Sequence, residues 1–574
     1  MNSKRADNTT QNDIGIQDPP TTKLGILKQL GPGLIIAGSI VGSGELIATT
    51  AVGAEAGFTL MWLIILGCMI KVFAQVEFGR YTLIHGRTTL DGLNEVPGPR
   101  FRVNWILWYW LVMFLVSLAQ LGGIVGGVGQ AVTISAPLTQ EGKAYNRYQE
   151  LLIEQHVTRS LITRPSVDSA DPDGLEAARL QKRLEALALE IEEVEKPFRQ
   201  TPVYQEAVRV RQELEQEYLK VDKGVSAGAV DRDRLQNRLM DAEATEQSLR
   251  GPPQSDDEIL WATLITISSM VILVLGRYQL IQLLSTVLVA GFTFVTIANL
   301  IHLQTLPEWR VGWDDLVHGL SFQFPSTKTG MTTALMAFGI IGVGATELIQ
   351  YPYWCLEKGY AGSKSDNIEE TQNWIKTMQT DVWVTVFFIT LGTLPFFFLG
   401  AGVLNNVNEL QEILATSSFW EVDVISALQN MFSLVLGGWA KWLFIILAFF
   451  VLFSTLLSGT AAFTRTISDY LISMGLVKEK EDTRNNLIKL VAFGIPFLSG
   501  LFYFILPNPL TLLLIAGIWA ALGLPIVNIG ALYLINKLEP ALQPKLSTII
   551  ILWFSLILQL SMASLIIYDI VFGF

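Results

Sequence analysis

Two glutamates, Glu45 and Glu347, lie 302 positions apart in matching surroundings within otherwise apolar stretches. The stretches 42–58 and 344–360 share six identical residues, where average residue frequencies would give about one. A carboxylate and a loosened helix are both costly inside a bilayer, so their repetition indicates a functional site. The residues that weaken each helix are Gly42, Ser43 and Gly44 before the first glutamate and Gly344, Ala345 and Thr346 before the second.

Such a pair of interruptions could bind a cation. An unwound turn leaves carbonyl oxygens without intrahelical partners, and the ends of half-helices present several of them together. With the two carboxylates and two hydroxyl groups they form an all-oxygen set, which favours a hard divalent ion such as Mg²⁺, Ca²⁺ or Mn²⁺. The alternative for each glutamate is a structural hydrogen bond to a neighbouring helix. The predicted metal ligands are Glu45, Glu347, Gly42, Ser43, Gly44, Ala345 and Thr346.

The composition places this site in a membrane protein. Of the 574 residues 51% are hydrophobic and only 16% are charged, whereas soluble domains carry about 25% charged residues. The net charge of −12 argues against nucleic-acid binding. Cys68 and Cys355 form neither a metal-ligand spacing nor a disulfide framework. No phosphate-binding motif occurs, so we expect no ATP-driven step, no enzyme activity and no cofactor, with the cation as substrate.

Eleven apolar segments are long enough to cross a bilayer, whose hydrocarbon core is about 30 Å thick. Glu45 and Glu347 interrupt the first and the sixth. Paired interrupted segments in two halves of a chain mark the binding sites of secondary transporters, and we predict that class of protein. The segments are 33–57, 59–83, 103–135, 259–276, 279–302, 331–357, 382–403, 440–472, 489–506, 510–535 and 546–572.

The chain divides into four regions. Residues 1–24 are predicted to be a disordered cytoplasmic tail, 25–135 carry segments one to three, and 258–574 carry segments four to eleven. Residues 136–257 form a charged insert, predicted to be soluble helix or coiled coil that acts as a spacer or binds a protein partner. Its apolar residues recur in steps of three and four, at Leu180, Leu184, Leu187, Ile191 and Val194 and again at Val203, Ala207, Val210, Leu214, Tyr218 and Val221.

The distribution of Lys and Arg among the short loops sets the expected orientation. It predicts a cytoplasmic N-terminus, with the insert and the C-terminus on the far side. Segments one and six then run in opposite directions, as an inverted repeat requires. The polar start of the sequence has no pattern of a cleaved signal peptide, which fits a bacterial inner membrane.

Further charged residues have ordinary explanations. Arg465 and Asp469, four residues apart in segment eight, are expected to form an ion pair. Glu55 and Glu357 lie near helix ends, where a solvated carboxylate is cheap. Lys71 of segment two is expected to extend towards the membrane surface or to meet a carboxylate on another segment.

Several motifs resemble those of the Nramp family of divalent-metal transporters. The resemblance covers the chain apart from the tail and the insert. It implies the inverted-repeat fold of the leucine transporter, with segments one to five and six to ten as the two halves. The motifs are Gly31-Pro32-Gly33, Gln75 with Gly86-Arg87-Thr88-Thr89-Leu90, Gly344-Ala345-Thr346, Ser454-Thr455-Leu456-Leu457-Ser458-Gly459-Thr460 and Leu524-Pro525.

The sequence departs from the family at the site itself. The family's first break reads Asp-Pro-Gly-Asn, and its sixth carries Met-Pro-His where this chain has Leu348, Ile349 and Gln350. Ser117 and Gln120 stand at the family's acidic pair, and Gly517 stands at a glutamine. A preference for Mn²⁺ or Fe²⁺ is therefore not implied. Secondary candidates for the site are Gln350, Gln120, Lys71 and Glu77.

Three functions remain open on sequence grounds. The first is a divalent-cation transporter that works by alternating access in a lipid bilayer. The second is a carrier of a small organic solute, such as an amino acid, whose amine the carboxylates would bind. The third is a membrane sensor or scaffold that acts through the insert.

Overall fold

The computed structural model describes residues 19–572 except 21, 43, 164–174, 223–228, 254, 276–277, 307–308, 326–327, 361–367, 406–424, 426–427, 430–439 and 478–480. Within these ranges the regular structure is helical, apart from one antiparallel pair of short strands, β1 (Arg100–Phe101) and β2 (Val103–Asn104). Most of the predicted tail lies outside the described residues, as do Ser43 and most of residues 405–437, which join segments seven and eight.

Segments one to three are built from seven helices. Segment one is interrupted after Ile40, close to the predicted break at Gly42, and a π-helical stretch, Gly44–Thr49, follows. A 3₁₀ turn, Gly57–Leu60, leads into segment two, which bends at Lys71. The helices are α1 (Lys23–Gln29), α2 (Pro32–Ile40), α3 (Thr50–Ala56), α4 (Met61–Ile70), α5 (Val72–His85), α6 (Thr89–Asn94) and α7 (Trp105–Ser135).

The insert consists of two helical hairpins. They are made by α8 (Gln140–Thr163) with α9 (Leu175–Arg199) and by α10 (Pro202–Asp222) with α11 (Ala229–Ser248). The carboxylate of Asp257 accepts hydrogen bonds from the backbone N–H groups of Leu138 and Thr139, at 2.7 and 3.0 Å. This residue therefore fastens the two ends of the insert together where they meet the membrane helices.

The apolar pattern of the insert is confirmed for α9 and only in part for α10, where Leu214 is buried as predicted. Leu187 and Ile191 of α9 are buried against α8, as the pattern predicts. In α10, by contrast, Val203 is 62% and Val210 is 40% exposed. Tyr204, which is outside the predicted apolar pattern, is buried, and its hydroxyl donates to the carboxylate of Glu246 on α11 at 3.2 Å. The buried face of α10 therefore includes a polar contact beside the predicted Leu214.

The remaining segments follow the predicted order. Segment six is broken between α15 and α16, and α17 continues into a π-helical stretch, Gly400–Leu404. The helices are α12 (Asp257–Leu275), α13 (Tyr278–Leu303), α14 (Trp313–Gly319), α15 (Lys328–Phe338), α16 (Ala345–Glu357), α17 (Ile368–Leu399), α18 (Ala440–Ser473), α19 (Glu481–Ile505), α20 (Pro509–Ile535) and α21 (Leu546–Phe572).

Eight helical stretches of the described residues are long and apolar enough to span a membrane. The broken segments reduce the number, because α2 has 9 residues and α15 has 11, and neither is long enough alone. The second part of segment one and segment two are counted together as Gly44–His85, and α13 contributes a shorter apolar stretch, Ala290–Leu303. The multi-pass membrane character is confirmed, and the total of eleven spans stays a prediction.

Helix α7 organises the packing around the breaks. It contacts α12, α18, α19 and α20. A Cβ atom at Gly122 would lie 2.7 Å from the Ser499 carbonyl oxygen, and one at Gly123 would lie 2.6 Å from the Pro509 carbonyl oxygen. Because larger residues would clash there, α7 approaches α19 and α20 at backbone distance. This close packing positions two polar residues of the preceding part of α7, Ser117 and Gln120, inside the helix bundle.

The Gly31-Pro32-Gly33 motif begins a helix. Pro32 is the first residue of α2, where its missing N–H costs nothing. The Asp381 carboxylate of α17 accepts hydrogen bonds from the N–H groups of Gly31 and Gly33, at 3.1 and 2.7 Å, and from the Tyr351 hydroxyl at 3.1 Å. A distant carboxylate therefore caps the half-helix that leads to the first break.

The predicted ion pair in segment eight is wrong. Arg465 instead pairs with Glu357 at the end of α16, and its guanidinium lies 4.4 Å from the centre of the Trp354 ring. Asp469 pairs with Arg484 of α19, at 2.7 Å. Both acids find partners on neighbouring helices, so tertiary packing overrides the local four-residue spacing. Glu357 is correspondingly not a free solvated carboxylate.

Candidate metal centre

The first break, residues 41–43, lies against α18. A Cβ atom at Gly42 would lie 1.9 Å from the Thr455 hydroxyl oxygen, so only glycine fits there. The same hydroxyl donates to the Gly38 carbonyl oxygen at 3.0 Å and so satisfies an acceptor near the end of α2. Thr455 belongs to the 454–460 motif, and this contact shows what the motif does: it positions the first break.

The second break, residues 339–344, is held between α4 and α20. Gly342 has a φ of +67°, and a Cβ atom there would lie 2.8 Å from the Cα atom of Cys68. On the other side, a Cβ atom at Gly339 would lie 2.0 Å from the Gly517 carbonyl oxygen. The left-handed conformation and the two close approaches all require glycine. Gly517, at the position of a family glutamine, thus serves backbone packing.

The two breaks touch each other. A Cβ atom at Gly44 would lie 3.1 Å from the Ile340 carbonyl oxygen. The fully buried carboxylate of Glu45 accepts hydrogen bonds from the N–H groups of Gly42 and Gly342, each at 3.3 Å, and from the Thr393 hydroxyl of α17 at 3.4 Å. Glu45 therefore joins the first break, the second break and α17.

Lys71 binds the second break from segment two. Its ammonium nitrogen donates to the carbonyl oxygens of Phe338, at 2.5 Å, and of Ile341, at 2.8 Å. The side chain is completely buried, and the nitrogen lies 4.7 Å from the centre of the Phe338 ring. The expectation that Lys71 reaches the membrane surface or pairs with a carboxylate is wrong: backbone carbonyls at the end of α15 are its partners.

A small cavity of about 20 Å³ lies between the breaks. Carboxylate, hydroxyl and amide groups reach it from three directions. Its wall is formed by the end of α2 with Gly44, by Ser117 and Gln120 of α7, by the second break with Thr346 and Glu347, and by Trp519 of α20. A space of this size holds about one water molecule or one small ion.

Glu347 is the charged residue in the cavity wall. It lies in the first turn of α16, where the positive end of the helix dipole favours a carboxylate. The neighbouring Thr346 hydroxyl donates to it at 2.9 Å, and a Cβ atom at Gly344 would lie 2.4 Å from its Oε2 atom. The glycine before the helix thus leaves room for this carboxylate beside the cavity.

The predicted ligands divide into three groups. Gly44, Thr346 and Glu347 line the cavity. Gly42, Ala345 and Glu45 are buried nearby, but they are not part of its wall, and Glu45 faces the backbone N–H groups of the breaks. Ser43 lies outside the described residues. In this conformation the two glutamates therefore do not share one cavity.

Of the secondary candidates, Gln120 lines the cavity. Gln350 is buried, and neither atom of its amide has a hydrogen-bond partner in the described part of the chain. Glu77 does not belong to the site. It forms a buried salt bridge of 2.8 Å with Arg80, whose guanidinium also donates to the Leu542 carbonyl oxygen. Its partner lies three residues away on the same helix, so its role is structural.

Sequence reasoning missed several residues of the cavity wall, among them Ser39, Met113 and Trp519. Trp519 lies in the middle of segment ten rather than at its end, which distinguishes it from tryptophans of the aromatic belt. Ser39 lies one turn before Gly42, and this proximity was a usable signal. For Met113 the sequence offers none, and its sulfur packs against Gly523, where a Cβ atom would lie 2.4 Å away.

Within the described residues, no group of three or more His, Cys, Asp or Glu side chains could hold a metal ion. An ion in the cavity would be held by one carboxylate with hydroxyl, amide and carbonyl oxygens. A set with only one charged ligand suits an ion that must bind and also leave.

Comparisons with known proteins agree with this architecture. The family model for natural resistance-associated macrophage protein-like proteins (Nramp) matches residues 250–569, which is more than half of the chain. No curated protein sequence matches the chain. The match begins just before α12 and includes the second break.

Solved structures extend the likeness to the whole chain. A variant of the manganese transporter of Eremococcus coleocola superposes with a TM-score of 0.54 at 12% identity, over 97% of this chain and 91% of the other. The same transporter in complex with an aromatic bis-isothiourea-substituted compound superposes with a TM-score of 0.54 at 12% identity. This match covers 98% of this chain and 92% of the other. The likeness shows the fold, and it confirms the predicted all-helical membrane architecture with broken first and sixth segments.

Proposed function

Because this chain belongs to the Nramp family, we propose that it is a secondary transporter that moves a divalent metal cation across a membrane by alternating access. The observation that carries the proposal is the ion-sized cavity between two interrupted helices, with the Glu347 carboxylate in its wall. Interrupted helices that meet at the centre of a bundle are the usual location of a transported ion.

The chemistry of the wall supports a hard cation. Glu347 supplies one negative charge, Thr346 a hydroxyl oxygen and Gln120 an amide oxygen. The ends of α2 and α15 also face this region, and the last carbonyl groups of a helix carry partial negative charge. Oxygen ligands of this kind favour Mg²⁺, Mn²⁺ or Ca²⁺ over softer metals. The manganese transporter with the same fold makes Mn²⁺ one of the ions to test.

Glu45 takes a different part in this proposal. Its carboxylate links both breaks to α17, so it fixes how the two interrupted helices sit against each other. We propose that Glu347 binds the ion while Glu45 holds the breaks together, and that Glu45 becomes a ligand only if these hydrogen bonds are exchanged for the ion during the transport cycle.

The cavity does not favour an organic solute. A space of about 20 Å³ is too small for an amino acid, since pockets for organic ligands are roughly ten times larger or more. We further propose that the N-terminus is cytoplasmic and that residues 136–257 lie on the opposite side of the membrane, as the loop charges predict.

Uptake into proteoliposomes tests the transport proposal. The purified protein should carry at least one of Mg²⁺, Mn²⁺ and Ca²⁺ down a concentration gradient. The Glu347→Gln variant should lose this uptake, whereas Glu539→Gln, a matched change of an exposed carboxylate, should retain it. Uptake by Glu347→Gln at the level of the unmodified protein would contradict the proposed site, and no uptake of any divalent ion would contradict the proposed function.

A further inference from the structure

A buried ammonium group at the end of a broken helix is unusual, and Lys71 is such a group. The side chain is 0% exposed at the bend between α4 and α5, inside a membrane-spanning segment. It forms no salt bridge within the described residues, and its hydrogen-bond partners there are two carbonyl oxygens. A charge held in this way is costly in a membrane and needs a specific reason.

The two carbonyl oxygens come from the place where α15 stops. Phe338 is the last residue of α15, and Ile341 lies three residues further, within the second break. The final carbonyl groups of a helix have no intrahelical partner and carry partial negative charge. Carbonyl oxygens gathered at a break can replace the hydration shell of Na⁺ or K⁺, so this is a place where a monovalent cation would bind.

The position of the Lys71 nitrogen fits that place. Its distances of 2.5 and 2.8 Å to the two oxygens are those of direct coordination or a strong hydrogen bond. The Phe338 ring, 4.7 Å away, adds a cation–π contact on a third side.

We propose that the Lys71 ammonium occupies a monovalent-cation site formed by the Phe338 and Ile341 carbonyl oxygens, so that the second break is held by a cation built into the chain. It follows that the fold needs no bound Na⁺ or K⁺ and that the proposed transport proceeds without either ion. Only the statement about transport rests on the proposed function, since the cation site itself is tested without any divalent metal.

The test is thermal unfolding of the full-length protein in detergent, in NaCl, in KCl and in choline chloride at equal ionic strength. The unmodified protein should unfold at the same temperature in all three salts. Lys71→Ala should unfold at a lower temperature in choline chloride and should recover with rising Na⁺, K⁺ or n-propylammonium, because an ion that binds only the folded state stabilises it. Lys376→Ala removes an exposed lysine of α17 and should behave like the unmodified protein.

Two results would overturn the proposal. One is a Lys71→Ala protein whose unfolding temperature is lowered equally in all the salts and is not raised by n-propylammonium. The other is an unmodified protein that is itself stabilised by Na⁺ or K⁺ relative to choline. If Lys71→Ala cannot be purified in a folded state, Lys71→Gln, which keeps an N–H donor but no charge, is measured in the same salts against the same expectations.

Discussion

Glu45 and Lys71 hold opposite sides of one peptide group, the one that joins Ile341 to Gly342. The Lys71 ammonium donates to the carbonyl oxygen of this group at 2.8 Å, and the Glu45 carboxylate accepts from its N–H at 3.3 Å. The two side chains come from different segments and carry opposite charges. They fix the orientation of a peptide in the second break that no helix supports. A change at either residue is therefore expected to move the wall of the cavity.

The two glutamates should respond differently to the same substitution. Glu45→Gln exchanges one oxygen acceptor for a donor and leaves at least one buried N–H group without a partner. It should lower the free energy of unfolding by about 1–3 kcal/mol. Glu347→Gln should weaken divalent-ion binding by about tenfold or more, because the charge of the ligands sets the affinity.

Thermal unfolding and ion titration of both variants separate these roles. Glutamine is tolerated at the third position of a helix, so Glu347→Gln should change the unfolding temperature little. Equal loss of stability in both variants, with ion binding unchanged in Glu347→Gln, would contradict the assignment of Glu347 as the ligand and Glu45 as the residue that holds the breaks.

Gly42→Ala should disrupt the first break. The new methyl group would lie 1.9 Å from the Thr455 hydroxyl oxygen, and such overpacking costs about 1–3 kcal/mol. Gly494→Ala in α19 is a matched control, because nothing lies within 4 Å of its Cβ position. Alanine there should be neutral or stabilise the helix by about 0.5–1 kcal/mol. Unfolding temperatures of the pair check the contact, and similar values for both would count against it.

Asp381→Asn should weaken the start of α2. The carboxylate accepts from the N–H groups of Gly31 and Gly33, and the amide can accept through one oxygen only. Loss of such a cap costs about 0.5–2 kcal/mol. Hydrogen exchange of amides in α1 and α2, measured by mass spectrometry, should increase, whereas Tyr351→Phe, which removes one donor and leaves the cap intact, should have a smaller effect. A larger increase in hydrogen exchange for Tyr351→Phe than for Asp381→Asn would contradict the assignment of Asp381 as the cap.

Acid should loosen the second hairpin of the insert. Burial raises the pKa of the Glu246 carboxyl, but hydrogen bonds from Arg211, Arg250 and Tyr204 lower it by more, and the net pKa lies below its usual value. A lowered pKa in the folded state stabilises the protein above the unfolded pKa of about 4.3, and this stabilisation is lost as the pH falls further.

Hydrogen exchange of α10 and α11, corrected for the intrinsic rate at each pH, measures the effect. Protection should decrease below about pH 4, and Glu246→Gln should abolish this dependence. Glu213→Gln, which changes a carboxylate that is 73% exposed on α10, should preserve it. An identical pH profile in all three proteins would show that Glu246 does not cause the dependence.

The two breaks could be predicted from the sequence, but the directions in which their side chains point could not. The matched stretches around Glu45 and Glu347 show that two helices are interrupted, because glycine and a buried acid have recognisable costs in a membrane. They do not show that Glu45 turns to backbone N–H groups while Glu347 faces the cavity. Glu45 takes its position because Gly42 and Gly342 present their N–H groups to it, and the left-handed conformation of Gly342 could not be read from the sequence.

The sequence also could not predict which side chains pair with partners on other segments. Lys71 was expected to extend towards the membrane surface or to meet a carboxylate, but it donates to carbonyl oxygens at the end of α15 and in the second break, and no sequence motif indicates these partners. Arg465 likewise pairs with Glu357, which lies 108 positions away, rather than with Asp469 on its own helix. In the insert, Tyr204 is buried with its hydroxyl bonded to Glu246, and a purely apolar pattern cannot include this polar contact.

The most direct measurement is isothermal titration of the purified protein with Mg²⁺, Mn²⁺, Ca²⁺ and Cd²⁺, in parallel with Glu347→Gln. We predict saturable binding of at least one of the three hard ions, weaker binding of Cd²⁺, and loss of this binding in the variant. Absence of binding by all four ions, or binding that Glu347→Gln leaves intact, would contradict the claim that the cavity between the two breaks is a divalent-cation site.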